Sequence, residues 1–430
     1  MKILLVNSNN DVIHLSHSSN FITPPIGLSF ISYPLKKLGY NVDFFDGSIS
    51  KNPNIDFNQK LDNSSPDLVG FSIRNTDNQS MLNPYTSLPD INKMVTNVVN
   101  RNIISVLGGA GYSVFPKKIL NNMNADYGIC DQGENSLPEL VKVICNGTNL
   151  FDNIPGLYYR RGNKIVSNLP DNSGYKNLKP DYELFNFNDY KTKYWSASIV
   201  IKTGCPFNCS FCDTPRLSNK FISRDHEEII EEIKFLKKVK NIKSFYLIDN
   251  CFTSPIDYAK ELLYKIIKAD ININIFAQIS SRKNCFDNEL FELYNKAGGS
   301  STIIGADSFS ETMLSNYNNR NNTNNIYKCA KLAEKYKVWA DFCWLVGGPG
   351  ENINTIKESI NFVKKIKYHN LLTMYGIRIL PGSPMRQTAI NEGIISKKTD
   401  LLPATFYFSK LISPNYARKY IENNLSITNN

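Results

Sequence analysis

Three cysteines stand close together near the middle of the chain, in the segment IKTGCPFNCSFCDTP that spans residues 201–215. They are Cys205, Cys209 and Cys212, and Phe211 directly precedes the third. Iron–sulfur clusters favour cysteine thiolates as ligands, so three thiolates on one short loop can hold three irons of a 4Fe-4S cluster. The fourth iron then has no protein ligand from this loop and stays open to a small molecule. Zinc is the alternative, but a zinc site typically takes a fourth Cys or His at a paired spacing, and none follows here.

At these residues the chain resembles the radical S-adenosyl-L-methionine (SAM) superfamily, whose signature is C-x-x-x-C-x-aromatic-C. Gly204 and Pro206 flank the first cysteine and strengthen the resemblance. The resemblance implies that SAM chelates the open iron through its amino and carboxylate groups. It also implies that the reduced cluster cleaves SAM to a 5′-deoxyadenosyl radical, with an external electron donor of the flavodoxin or ferredoxin type.

Length and composition describe an ordinary globular protein. The 430 residues suffice for two domains, or three if one is small, and 42% are hydrophobic and 20% charged. No apolar run approaches the roughly 20 residues of a membrane span, so we predict no membrane span and a cytoplasmic location. Nine cysteines are an odd number, and those outside the trio are scattered, which is not a secreted disulfide framework. The net charge of +10 could favour anionic partners, but the lysines of 233–243 fit the solvated face of one helix, so nucleic acid is not expected.

The first 150 residues alternate apolar runs with helical stretches, which predicts a doubly wound, Rossmann-like parallel sheet with helices on both faces. The predicted strands are 2–6, 41–46, 67–73, 103–107 and 127–130, and the predicted helices are 25–38, 85–100, 117–122 and 135–145. A ligand of such a fold lies over the carboxyl edge of the strands. A hairpin at 154–168 and an irregular linker follow, so that 151–194 separates the two main domains.

The loops at this edge resemble the cobalamin-binding domain that precedes many radical SAM domains. The landmarks that carry the resemblance are PPIGL at 24–28, LGY at 38–40, the strand at 67–72, GG at 108–109 and QGE at 132–134. The resemblance implies contacts to cobalamin from Ser72, Arg74, Asn75, Gly108, Gly109, Gly133 and Glu134. Glycine after a strand lets backbone approach a bulky ligand closely, and a tight turn is the simpler explanation of each glycine.

The Asp-x-His-x-x-Gly sequence with which that family usually ligates cobalt is absent. His14 and His17 lie in the corresponding loop at a different spacing, and solvated loop histidines are the simpler explanation for both. Arg74, Asn75 and Asp77 follow the third predicted strand. We hypothesise that these polar side chains cover the lower face of the cobalt instead.

From Ser196 the alternation starts again and predicts a partial, open (β/α)6 barrel of the TIM type over 195–393. The predicted strands are 198–202, 244–248, 272–278, 302–304, 338–346 and 373–379, and the predicted helices are 225–240, 256–269, 288–297, 324–337 and 354–367. The chemistry of such barrels sits at the carboxyl ends of the strands. The tail 394–430 is a possible substrate cap, and a simple packing tail is the alternative.

The remaining candidates follow the barrel strands in the order that the radical SAM family uses. The resemblance assigns SAM binding to Phe211, Asp249, Asn250, Ser280, Arg282, Asp307, Gly347 and Gly348. A carboxylate at Asp249 suits the SAM ammonium, and Arg282 could fork onto the SAM carboxylate. Asp307 stands where the family has glutamate, in a proposed ribose contact. The sequence identifies no residue that acts directly in catalysis.

Together the two halves imply a methyltransferase that acts on an unactivated carbon of a small-molecule substrate, either natural-product-like or lipid-like, with cobalamin as the methyl carrier. Rearrangement or cyclisation without methyl transfer, and loss of cobalamin from the first domain, remain open. A tRNA methylthiotransferase would carry a second cysteine set near the N-terminus, yet no cysteine precedes Cys130. An electron-transfer protein normally has all four irons ligated by protein. The cofactors expected are therefore a 4Fe-4S cluster, SAM and cobalamin.

Overall fold

The computed structural model describes residues 1–8, 23–170, 179–190, 196–213 and 222–425. The chain divides into two compact units. The first comprises Met1–Asn78 and Pro84–Trp195, and the second comprises Gln79–Asn83 and Ser196–Asn430. The segment 151–194, predicted as hairpin and linker, falls within the first unit, and the tail 394–430 falls within the second.

The first unit alternates strands and helices from its beginning. Its strands are β1 (Lys2–Asn7), β2 (Asn41–Asp46), β3 (Leu68–Ser72), β4 (Ile104–Gly108), β5 (Tyr127–Ile129), β6 (Leu157–Arg161) and β7 (Lys164–Ser167). Its helices are α1 (Ile26–Lys37), α2 (Pro53–Ser64), α3 (Leu88–Asn100), α4 (Ala110–Val114), α5 (Pro116–Met123) and α6 (Gly133–Cys145).

These strands form one sheet in the order β2-β1-β3-β4-β5-β6-β7. The first five run parallel, and the hairpin of β6 and β7 adds two antiparallel strands at one edge. The strand β1, which lies between β2 and β3, is buried from Ile3 to Asn7, which is why most of it is a continuous apolar run. Side chains such as Leu35, Leu140 and Val106 form the core between the sheet and helices α1 and α6. The carboxyl ends of the five parallel strands therefore meet at a single edge.

The second unit repeats the alternation with longer strands. Its strands are β8 (Ala197–Val200), β9 (Lys202–Thr203), β10 (Ile222–Ser223), β11 (Ser244–Ile248), β12 (Asn274–Ser280), β13 (Gly299–Asp307), β14 (Trp339–Val346), β15 (Leu371–Tyr375), β16 (Ile377–Arg378) and β17 (Phe406–Tyr407). Its helices are α7 (His226–Lys240), α8 (Ile256–Lys268), α9 (Asn288–Lys296), α10 (Glu311–Asn316), α11 (Thr323–Lys335), α12 (Ile353–Val363), α13 (Pro384–Asn391) and α14 (Pro414–Leu425).

Six of these strands form a parallel sheet in the order β15-β14-β13-β12-β11-β8, so each strand pairs with its neighbour in the chain sequence. The helices that connect them begin and end at local signals in the sequence. Before α7, the Asp225 side chain accepts hydrogen bonds from the amides of Glu227 and Glu228. After α7, Asn241 adopts a left-handed conformation with φ of 53°.

Some elements differ from those predicted. The helix α2 was not predicted, because its sequence is rich in Asn and Asp and buries only Phe57 and Leu61. The predicted strand 373–379 is interrupted at Gly376, whose φ of +81° ends β15. The short helices α4, α10 and α13 were also missed, because too few turns are present to reveal a period. In the described part of the chain, every helix is too short or too polar to span a bilayer.

Candidate active site

The three-cysteine loop begins at the carboxyl end of the first barrel strand. The short strands β9 and β10 pair antiparallel, with Lys202 opposite Ser223, and form the base of this loop. Gly204 has φ of +82°, a conformation that glycine adopts without strain, and its carbonyl lies 3.4 Å from Nδ2 of Asn250. The sharp turn directs the loop back over the carboxyl edge of the sheet.

Two buried cations hold the strand that leads into the loop. Nη1 of Arg224 donates to the carbonyl of Val200 at 2.8 Å, and Nη2 pairs with Glu232 at 2.8 Å. The Tyr258 hydroxyl can donate to either of two carbonyl oxygens, that of Ile201 at 3.0 Å or that of Arg224 at 2.8 Å. The end of β8 is thus fixed by side chains of three separate elements.

Lys202 is the second of these cations. Its Nζ donates to the carbonyl of Phe252 at 2.6 Å and lies 2.5 Å from Oδ2 of Asp249. The side chains of Lys202 and Asp249 are 0% and 1% exposed. Burial raises the pKa of Asp249 to about 6, and the Lys202 charge opposes that increase. The carboxylate that the sequence assigns to the SAM amino group therefore already has an ammonium partner within the protein.

The cysteine loop is also held from its outer side. The amide of Ser210 donates to the carbonyl of Tyr317 at 2.8 Å, and the amide of Met385 donates to the carbonyl of Ser210 at 2.8 Å. The ring of Phe211 meets the ring of Tyr317 edge-on, with centroids 5.6 Å apart. Phe211 therefore packs against protein, and its predicted contact with SAM stays a prediction.

The three thiols of the loop differ in exposure, with Cys209 buried and Cys205 and Cys212 half-buried. Burial raises the pKa of the Cys205 thiol, and it raises the pKa of the Cys209 thiol to about 12. Each of these two thiols also interacts electrostatically with Cys212. Yet no group of three or more His, Cys, Asp or Glu side chains within the described ranges is placed to hold one metal ion. Thiolates are the ligands that iron–sulfur clusters favour, and each of the three cysteines would bind a different iron of a 4Fe-4S cluster.

Arg282 and Asp307 lie beside this loop. Nη2 of Arg282 is 3.2 Å from Sγ of Cys209 and 3.5 Å from Oδ2 of Asp307. The Asp307 carboxylate also accepts a hydrogen bond from Asn319. Burial raises the pKa of Asp307, whereas the Arg282 charge and the Asn319 hydrogen bond lower it. Ser280 is 4% exposed, and its Oγ accepts from the Arg282 amide at 3.3 Å. Three predicted SAM ligands thus form one network on the cysteine loop.

The two glycines predicted to approach SAM have a different structural reason. A Cβ on Gly348 would collide with the ring of Tyr317, and a Cβ on Gly347 would collide with the ring of Phe408. The amide of Ser409 donates to the carbonyl of Gly347 at 2.8 Å, which brings the C-terminal tail onto this turn. Aromatic rings of the chain itself therefore fill both spaces, which gives each glycine a packing reason that needs no ligand. Binding of SAM at this turn stays a prediction.

In the first unit, the candidate cobalamin residues lie together at the carboxyl edge of the sheet. Ser72 ends β3 and stands beside Gly108, which ends β4, in the parallel register. Arg74 is exposed and Asn75 is half-buried in the loop that follows β3. Gly133 begins α6 beside Glu134, which is 4% exposed. The topology thus gathers residues that are far apart in the sequence.

Gly109 again has a reason internal to the chain. Its φ is +98°, and a Cβ there would lie 2.7 Å from the carbonyl oxygen of Ile73. A Cβ on Gly108 would make only an ordinary contact of 3.6 Å with Ile129, and a Cβ on Gly133 would lie 3.2 Å from Ile31. The close approach at Gly109 is therefore to Ile73 in the loop that follows β3, so packing within the chain is sufficient to explain this glycine. The cobalamin contacts stay predictions.

The candidate ligands of cobalt divide into two groups. His14 and His17 lie outside the described residues. Asp77 is 5% exposed, and its Oδ2 accepts a hydrogen bond from Thr76 Oγ1 at 3.1 Å. Its burial within the loop favours a structural role, so Arg74 and Asn75 are the better candidates for contact with a ligand.

Several residues that shape the site were missed in the sequence. Lys202, Arg224, Tyr258 and Tyr317 all act through tertiary contacts, and none belongs to a motif with fixed spacing. One signal was present, because a lysine within a strand as apolar as 198–202 requires a buried partner. Asp249 is that partner.

Two family models match the chain and together cover both units. The model of the Radical SAM superfamily matches residues 199–363, and the model of the B12 binding domain matches residues 15–141. These matches bear out the predicted class, a doubly wound domain followed by a radical SAM barrel.

Curated relatives match the chain over most of its length at low identity. An uncharacterized methyltransferase from Pyrococcus horikoshii is 25% identical over 350 residues, which is 80% of this chain and 73% of that protein. An anaerobic magnesium-protoporphyrin IX monomethyl ester cyclase from Cereibacter sphaeroides is 23% identical, over 78% of this chain and 55% of its own length. A tryptophan 2-C-methyltransferase from Streptomyces laurentii is 23% identical, over 84% of this chain and 72% of its own length.

A solved structure shares the fold over nearly the whole length. It is a radical S-adenosylmethionine methyltransferase from Kitasatospora setae, with cobalamin and a 4Fe-4S cluster bound. The TM-score is 0.83 at 19% identity, and the match covers 99% of this chain and 91% of the other. At this identity the likeness shows the fold.

Proposed function

We propose that this chain is a cobalamin-dependent C-methyltransferase, because the Radical SAM superfamily model matches residues 199–363 and the B12 binding domain model matches residues 15–141 ahead of them. The proposed acceptor is an unactivated carbon of a small molecule, natural-product-like or lipid-like. The observation that carries the proposal is the three-cysteine loop at the carboxyl edge of a parallel sheet, in a chain whose other unit gathers candidate cobalamin residues at the same edge of its own sheet.

The cofactors bring the chemistry that side chains lack: the cluster delivers an electron to SAM, and cobalamin carries a methyl group that can be given to a carbon radical. The chain itself holds and orients them. Cys205, Cys209 and Cys212 would ligate three irons and leave the fourth for SAM. Asp249 and Asn250 would receive the amino end of SAM, at the strand end where Lys202 fixes the carboxylate. Ser280 and Asp307, at the ends of β12 and β13, would also contact the bound SAM.

In the first unit, the backbone around Ser72 and Gly108 would support the corrin edge. Arg74 and Asn75 would cover the lower face of the cobalt, where a histidine serves in the usual motif. Arginine keeps its charge at all working pH values and does not coordinate as imidazole does. Arg74 would therefore contribute charge and hydrogen bonds at that face rather than imidazole-like coordination.

The substrate proposal has a general part, that the acceptor is a small molecule, and a more specific part, that it is natural-product-like or lipid-like. The support for the general part comes from the names of relatives that act on small molecules, such as tryptophan and a magnesium porphyrin ester. Specificity of such enzymes resides in loops and tails rather than in the fold. The tail around Phe406–Tyr407, which pairs with β16, is a candidate to take part in it.

The test begins with metal content. Protein produced without oxygen and with cobalamin supplied should contain about four irons and about one cobalt per chain, if one cluster and one corrin are bound. Cys209→Ala should lose the iron and keep the cobalt, whereas Cys329→Ala, at a buried helical position, should keep both. Four irons without cobalt at excess cobalamin would contradict the methyl-carrier role.

The second test follows the methyl group. With SAM deuterated in its methyl group, candidate acceptors should gain three deuterons, and deoxyadenosine should form in step with product. Incubation without reductant is the control, because an unreduced cluster gives neither product.

A ring-forming reaction is the second candidate function. It is favoured by the relative that is named a monomethyl ester cyclase. In that case deoxyadenosine would form while the product gains no deuterium, so the same labelled experiment separates the two functions.

A further inference from the structure

One cationic side chain packs directly on the cysteine loop. Nη2 of Arg282 lies 3.2 Å from Sγ of Cys209, and the guanidinium carbon lies 4.4 Å from the centre of the Phe207 ring. Arg282 is only 8% exposed. A cation over an aromatic face is held in place by the ring, so Phe207 fixes the plane of the guanidinium.

Other contacts fix its direction. Nε donates to the carbonyl of Asn319 at 2.6 Å, and Nη1 lies 3.4 Å from Oγ of Ser280. Nη2 also lies 3.5 Å from Oδ2 of Asp307. Ser280 and Asp307 are the last residues of β12 and β13, and Asn319 lies between α10 and α11. Together these contacts leave Nη2 beside Cys209.

The donors of the guanidinium are nearly used up by these contacts. Arginine has five N–H groups. Four acceptors are already within reach: the Asn319 carbonyl, the Ser280 hydroxyl, the Asp307 carboxylate and the Cys209 sulfur. A forked contact with the SAM carboxylate needs two parallel N–H groups at once. The guanidinium as placed cannot offer such a pair without breaking contacts with the protein.

We propose that Arg282 is a positioning residue for the cluster itself, and that it donates a hydrogen bond from Nη2 to the ligating thiolate of Cys209 and makes the cluster easier to reduce. Hydrogen bonds to the sulfurs and local charge are among the factors that set cluster potentials. Reduction adds negative charge, so a nearby cation stabilises the reduced cluster more than the oxidised one. Because Arg282 is almost completely buried, water screens this effect only weakly.

The Asp307 carboxylate opposes the effect of Arg282 on the potential of the cluster. Its Oδ2 oxygen lies 3.5 Å from Nη2 of Arg282 and offsets part of the positive charge. The proposal rests on the cluster part of the proposed function and is independent of methyl transfer. It assigns the pair Arg282 and Asp307 to tuning of the cluster, with opposite signs.

The experiment is a redox titration of the cluster in the absence of SAM. The reduced state is monitored by its electron paramagnetic resonance signal. Arg282→Gln keeps a donor for the Asn319 carbonyl but removes the group that reaches Cys209. We expect its midpoint potential to fall by about 59 mV or more, which is a tenfold loss of reduced cluster at a fixed potential for a one-electron couple. The matched control is Lys283→Gln, which removes the same charge from the exposed neighbouring position and should titrate like wild type.

The variant Asp307→Asn tests for a shift of the midpoint potential in the opposite direction. Asn tolerates the left-handed backbone of this position, where φ is +60°, and we expect the midpoint potential to rise. The proposal is wrong if the midpoint potential of Arg282→Gln equals that of wild type, or if it shifts no more than that of Lys283→Gln. If Arg282→Gln binds no iron, Asp307→Asn decides: a rise supports the proposal, and an unchanged potential overturns it. Wild-type protein without iron would instead contradict the proposed function, so the two failures are distinct.

Discussion

The ring of Tyr317 occupies the space beside Gly348 in which any other residue would place its Cβ. The carbonyl of the same tyrosine accepts a hydrogen bond from the amide of Ser210, between two cluster cysteines, and its hydroxyl donates to the carbonyl of Leu345 at 3.1 Å. Tyr317 thus joins the turn after the fifth barrel strand to the cysteine loop after the first. The Tyr317 ring can take this position because Gly348 has no Cβ.

Gly348→Ala should therefore disturb a loop far from it in the sequence. The added methyl group overlaps the Tyr317 ring, so we expect the free energy of unfolding to fall by about 1–3 kcal/mol and the iron content to fall with it. The matched control is Gly305→Ala, because nothing lies within 4 Å of a Cβ at Gly305. Urea unfolding of the apoprotein and iron analysis check the pair. Equal behaviour of the two variants would contradict the role of Tyr317.

Lys202→Met should be strongly destabilising. It leaves the Asp249 carboxylate buried beside an apolar side chain, and removal of one partner from a buried ion pair costs about 3–5 kcal/mol. Adding Asp249→Asn should restore much of the loss, because the uncompensated charge is removed. Lys296→Met, which breaks the exposed pair with Glu292, should change the unfolding midpoint little. If the double variant were no more stable than Lys202→Met, the buried charge would not be the cause.

Glu351 should make the stability of the second unit depend on pH. Burial raises the pKa of the Glu351 carboxyl to about 7, and hydrogen bonds from Thr355 Oγ1 and the Gly347 amide oppose the increase. A raised carboxyl pKa stabilises the folded state fully below the unfolded value of 4.5, and this contribution is lost as pH rises through 7.

The variant Glu351→Gln lacks this titration. Its stability relative to wild type should therefore increase between pH 5 and pH 8, by an amount on the order of 3 kcal/mol for a shift of this size. Urea midpoints at the two pH values measure the difference. A constant difference between the variant and wild type would show that Glu351 does not titrate in this range.

Arg74→Ala should weaken cobalamin binding several-fold and change the visible spectrum of the bound corrin. Arg74 follows β3 at the carboxyl edge of the first sheet, where its cation can cover the lower face of the cobalt. Arg101→Ala is the matched control, since Arg101 precedes β4 at the opposite edge of the same sheet. Unchanged affinity and spectrum in Arg74→Ala would contradict the contact.

The sequence predicted most elements because their signals are local. The strands β1 and β11 were predicted to within one residue, since each is a short apolar run bounded by polar residues, which is typical of a buried parallel strand. The helix α2 was missed because only Phe57 and Leu61 mark its buried side. The order of the strands, β2-β1-β3-β4-β5 in the parallel part of the first sheet, was not predicted, because no local signal specifies which strands pair.

By itself, the sequence determined the chemistry that the chain can support: three thiolates at fixed spacing, the alternation that builds two parallel sheets, and the polar residues at their carboxyl edges. The tertiary structure decided which of those residues meet. It placed Arg282 on Cys209, Lys202 on Asp249, and aromatic rings against Gly347 and Gly348. Such contacts join side chains from different strands and loops, and their distances depend on sheet register and on packing of the whole core. No spacing along the chain encodes them.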